Sequence, residues 1–143
     1  STDIPDTPPV RLQPSSAVTV PENKDYAALI DGKTATTWST ADEDTGVLVT
    51  LDNPTHLAVM PVVQSNSTGT KYAVYGVNQE SFNPENPQAG SLHQLARGKF
   101  KSGTEDIELE ETNEQFDALL LMITELPKSD KATIADIELV GQP

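Results

Sequence analysis

A chain of 143 residues, 36% of them hydrophobic, is long enough for one domain with a core of its own and too short for two. Twenty-two acidic residues against nine basic ones leave a formal charge of −13, so long-range repulsion excludes nucleic acid and direct membrane-surface binding as partners. The lack of cysteine removes disulfides, thiol nucleophiles and cysteine-held zinc, and two histidines, His56 and His93, are too few for a His-rich metal centre.

In chain order, the first segment carries Pro5, Pro8, Pro9 and Pro14, which fix φ and remove backbone donors. Residues 1–16 therefore read either as an extended tether or as an ordered arm, and 17–143 as the domain. The start, Ser-Thr-Asp-Ile, has no charged-then-apolar leader, and no run approaches the roughly 20 apolar residues of a membrane span. An excised or mature soluble fragment, monomeric in solution, is the expectation.

Within 23–30, Tyr26, Leu29 and Ile30 allow one short helical turn. A strand is predicted at 46–51, with Val47, Val49 and Leu51 on one face, closed by an Asp52-Asn53-Pro54 turn. A second apolar run at 57–63 contains Pro61, which predicts an edge strand or a bulge. A further strand at 72–77 leads into a polar segment, 79–98, whose Pro84, Pro87 and Gly90 predict a large surface loop. At 106–111, Ile107 and Leu109 alternate with Glu108 and Glu110, giving a buried face and a solvated acidic one. The run at 118–124 is apolar on both faces, as a strand buried between two layers requires, and 134–140 closes the chain with another strand. Six or more short strands with almost no helical period indicate an all-β fold, an antiparallel β-sandwich.

The most specific stretch is Ala28-Leu29-Ile30-Asp31-Gly32-Lys33-Thr34-Ala35-Thr36-Thr37-Trp38-Ser39-Thr40. It resembles the signature of the discoidin, or coagulation factor 5/8 type C, superfamily, which includes family 32 carbohydrate-binding modules. The closing Ile134-Ala135-Asp136-Ile137-Glu138-Leu139-Val140-Gly141 and the strand ending at Leu51-Asp52 are similar to that family's corresponding strands. The resemblance implies a galactose-binding-like jelly roll with Trp38 in its core. It also implies a structural Ca²⁺, held by Asp31, Thr36 and Asp136 together with the carbonyls of Ala28, Lys33 and Ala135; Ca²⁺ favours six to eight hard oxygens. Asp136 stands where the family usually has the longer Glu, and Lys33 brings an ammonium group close by. For the sugar site, the family uses Arg, Asn and His from loops at one end. Asn66 is in place, Gln64 stands where the Arg is expected, and Phe82, His93 and Arg97 are the candidates for a substitute ligand-binding set.

A second resemblance lies in Leu119-Leu120-Leu121-Met122-Ile123-Thr124-Glu125-Leu126-Pro127 followed by Ala135-Asp136-Ile137. It is similar to extracytoplasmic tail domains of actinobacterial membrane proteins related to peptidoglycan-precursor flippases, with Met122 in place of an aromatic residue. No nucleophile elbow, phosphate loop or HExxH motif is present, so no catalysis is expected. The expected function is a non-catalytic, extracytoplasmic binding module for a cell-envelope glycan, peptidoglycan precursor or protein, within a larger membrane-anchored or secreted chain. The alternative is a structural or protein-interaction domain that has lost the sugar site. The net charge and the scarcity of rings lead to the expectation of a neutral or cationic ligand.

Overall fold

The computed structural model describes residues 6–65, 67–87, 92–101 and 103–143. Ten strands follow one another: β1 (Val10–Leu12), β2 (Ser16–Val20), β3 (Trp38–Thr40), β4 (Thr45–Ser65), β5 (Lys71–Val77), β6 (His93–Lys99), β7 (Thr104–Glu108), β8 (Phe116–Glu125), β9 (Ala132–Ile137) and β10 (Leu139–Gln142). Two 3₁₀ turns, Ala27–Ile30 and Gln79–Ser81, are the helical elements among the described residues.

All pairings between these strands are antiparallel. One layer runs β2, β4, β8, β5, β6 and the other gathers β1, β10, β9, β3 and β7 about β4. β4 belongs to both. Its first half pairs with β2 and β8, then the exposed Asp52-Asn53-Pro54 corner turns it into the opposite layer, where β7, β9 and β10 pair with its second half. The two strands expected at 46–51 and 57–63 are thus one bent strand. Pro61 fits because its missing donor falls opposite the break between β9 and β10, where its carbonyl instead accepts the Glu138 N–H at 2.8 Å.

Alternation along the central strands builds two apolar clusters. Val47 and Val49 of β4, with Leu119, Leu121 and Ile123 of β8, point into the space between the layers, joined by Trp38, Phe100 and Ile134. Leu48, Leu120 and Met122 point the other way and form a second cluster with Val20, Val77 and Ala118. The strand at 118–124 is therefore buried on both faces, and the outer cover comes from Val18 of β2, Tyr75 of β5, and Phe82 and Leu92 of the β5–β6 connection. The segment 79–98, expected as one surface loop, ends in β6 and folds part of itself onto the sheet. The N-terminal segment lies along the domain: β1 pairs with β10, and the Ser15 amide donates to the Thr50 carbonyl at 2.8 Å.

Candidate functional site

Three places gather the chemistry. At the first, the 3₁₀ turn Ala27–Ile30 delivers Asp31 and Gly32 against β9. Gly32 adopts φ +78°, a conformation that side chains disfavour, and its amide donates to the Asp136 carboxylate. Asp31 Oδ1 accepts the Lys33 N–H at 2.8 Å, closing an Asx-type turn. Asp136 is 5% exposed and its Oδ1 has no hydrogen-bond partner among the described residues. Burial, then the nearby Glu138 and Asp31 carboxylates, push its pKa up, against the Gly32 amide and the Arg11 guanidinium, which itself pairs with Glu138. Ala135 is buried, Ala28 is half-buried, and Lys33 and Thr36 are exposed. The structure thus brings Asp31 and Asp136 together, and no hydrogen bond among the described residues ties Thr36 to them. A buried carboxylate oxygen without a donor, facing a second acid, suits a hard cation. No group of three or more His, Cys, Asp or Glu side chains able to hold a metal occurs among the described residues, so a cation here would have to draw on two carboxylates and main-chain carbonyls.

The second place is a polar cavity of about 410 Å³ between β5, β6 and the segment before β8. His93 Nδ1 and Glu114 Oε1 lie 3.0 Å apart, and the imidazole meets Phe116 edge-on at 5.7 Å. Gly76 makes this possible, since a Cβ there would come within 2.6 Å of the Phe116 ring. Asn78, Ser81 and Gln94 add amide and hydroxyl groups to the wall.

The third is a shallow cavity of about 460 Å³ on the outer face of β5 and β6, with Lys71, Tyr75, Gln94, Arg97 and Lys99 in its wall. Arg97 stands opposite Ala73, whereas His93 stands opposite Gly76, with a bulge between the two pairs. The candidates named from the sequence are therefore divided: His93 lines one cavity, Arg97 the other, and Gln94 borders both. Phe82 lines neither and packs on the outer apolar cluster. Asn66 lies outside the described residues. Sequence reasoning missed Glu114, Gln94 and Tyr75. The alternation of Tyr72 and Tyr75 across one strand was the available signal for Tyr75, because an odd spacing puts them on opposite faces.

No family model matches the sequence, and no curated protein matches it. Solved structures do match in shape. A family 32 carbohydrate-binding module of AlyQ, in complex with 4,5-unsaturated mannuronic acid, aligns with a TM-score of 0.69 at 12% identity, covering 91% of this chain and 97% of that one. Chitosan-binding module 1 of the chitosanase/glucanase from Paenibacillus sp. IK-5 gives 0.67 at 14% identity, over 91% and 96%. The fold is the galactose-binding-like sandwich of these modules. A third, the CBM32-5 module of CpGH89 from Clostridium perfringens in complex with GalNAc-β-1,3-galactose, gives 0.60 at 17% identity, over 79% of this chain and 81% of that one. At these identities the likeness to family 32 modules is one of fold, and the cavities above are this chain's own.

Proposed function

We propose that the protein is a non-catalytic glycan-binding module whose sugar site is the cavity at His93 and Glu114. The observation that carries this reading is the held pair itself: an imidazole fixed by a carboxylate at 3.0 Å and by the Phe116 ring, at the edge of a cavity walled by Asn78, Ser81 and Gln94. Sugar hydroxyls need donors and acceptors in fixed positions, and this wall offers both. The fold neighbours whose complexes hold a uronic acid and an amino-sugar disaccharide support the same reading. Ser81 shares the cavity with the pair, but its hydroxyl donates to the Asn78 carbonyl at 3.2 Å, so no nucleophile is set up by the imidazole.

The cation place serves structure in this reading. Asp31 and Asp136, with the carbonyls of Ala28, Lys33 and Ala135, would hold a Ca²⁺ that ties the 3₁₀ turn to β9, while the exposed Thr36 is left outside that set. In this reading the ligand belongs to the cell envelope, and the module to an extracytoplasmic, membrane-anchored or secreted chain.

Binding of neutral galactosides, amino-sugar disaccharides and muropeptides to the wild type and to His93→Ala and Glu114→Gln tests the site. At least one class is expected to bind, with affinity lowered about tenfold or more in both variants, the scale of one lost charge-assisted hydrogen bond. Silence across all three classes would favour the protein-interaction alternative.

A further inference from the structure

Acids outnumber bases 22 to nine in this chain, yet the wall of the outer β5–β6 cavity holds Lys71, Arg97 and Lys99 and no Asp or Glu. Lys71 is engaged by Glu125 at 3.0 Å, whereas Arg97 and Lys99 make no ion pair among the described residues. Lys99 also borders two adjoining cavities, one containing Lys101 and the other Lys128. Five of the nine cations therefore line these three cavities, and the acids that accompany them, Glu105, Asp106, Glu108 and Glu125, fall in the two flanking cavities and not in the outer β5–β6 one. Its floor is apolar: Ala73, and the half-buried ring of Tyr75. Arg97 and Lys99, without an ion pair and beside an aromatic floor, are suited to a flat ring that carries an anion, with the planar guanidinium of Arg97 able to meet a carboxylate or sulfate in bidentate fashion.

We propose that the outer face of β5 and β6 is an anion-selective subsite for an acidic polysaccharide, continuous through Gln94 with the cavity at His93. The inference rests on the glycan-binding reading and narrows its ligand to sugars bearing carboxylate or sulfate groups. The total of −13 does not oppose it at close range. Glu105, Asp106 and Glu108 line the adjoining cavity rather than this one, so an anion seated between Ala73 and Tyr75 meets Arg97 and Lys99 directly, and charges more than about 8 Å away are largely screened at physiological ionic strength.

Calorimetric titration of the full chain with four probes decides the matter: oligogalacturonate, its fully methyl-esterified form, a sulfated galactan oligosaccharide and the neutral galactan. An acidic probe is expected to bind about tenfold or more tightly than its neutral counterpart. Arg97→Ala combined with Lys99→Ala is expected to erase that difference without moving the melting temperature, because both side chains are exposed. Preference for the carboxylate or the sulfate probe supports the subsite equally and identifies its anion. Equal binding of acidic and neutral probes, or a preference that survives the double variant, overturns it. Neutral galactan bound in a His93-dependent way, with no gain from charge, removes this subsite and leaves the glycan reading standing. No binding by any of the four probes overturns the subsite, and the glycan reading is then decided by the amino-sugar and muropeptide titrations.

Discussion

Asp136 shows how one residue's surroundings set a measurable property of the fold. Burial and the Glu138 and Asp31 carboxylates hold its pKa above the ordinary carboxylate value. In the interval between that ordinary value and the raised one, the folded protein keeps a proton that the unfolded chain has released. Stability from this group is therefore present below the interval and is lost as pH rises through it. Asp136→Asn is expected to raise the melting temperature of the metal-free protein at neutral pH and to remove this contribution to the pH profile. Ca²⁺ added after EDTA should stabilise the wild type by about 2.7 kcal/mol at one hundred times its dissociation constant, and Asp136→Asn should abolish the response. A wild type indifferent to Ca²⁺ would eliminate the clip and leave the pH effect in place. Asp31 and Asp136 were singled out in the sequence through the family resemblance, and the structure brings the two carboxylates near each other. The His93–Glu114 pair was not legible there, since 21 residues and a turn of the sheet separate its members. Nor was the division of His93 from Arg97, because the bulge between Val74 and Tyr75 shifts the register on which a period-two reading depends.

At the level of elements, β8 and the β5–β6 connection depend on each other. A strand with Leu119, Leu121 and Ile123 on one face and Ala118, Leu120 and Met122 on the other has to be covered twice. The opposite layer covers the first face, and Phe82 with Leu92 helps to cover the second. Phe82→Ala is expected to cost about 1–3 kcal/mol in urea unfolding, since the ring is only half-buried. It should also increase dye binding to the newly bared cluster while leaving glycan affinity unchanged. A large loss of affinity with unaltered stability would return Phe82 to the ligand site. The need for double cover was readable from 118–124, but its source was not: proline and polar residues in 79–98 mask the two apolar residues that do the covering. Pro61 was read as a sign of an edge or a bulge, and the break lies in its partner strands instead, at Glu138.

For the whole molecule, the composition pointed to an all-β sandwich because short alternating runs between turns leave few other ways to bury a core. It gave a total charge without its distribution, and the cations along β5 and β6 became visible only once Lys71, Arg97 and Lys99 were brought onto one face. β4 carries a consequence of a different kind. Because this one strand is hydrogen-bonded to β2 and β8 in one layer and to β7, β9 and β10 in the other, neither layer can open fully without releasing the backbone they share. Native-state hydrogen exchange should therefore show the amides of Val47, Val49, Met60 and Val62 exchanging through a common opening of the same free energy, rather than as two layers with separate stabilities. Protection that differs by more than about 1 kcal/mol between the two halves of β4 would mean that the layers part independently. If the protection is common, the strand acts as a seam that makes unfolding of the two sheets a single event.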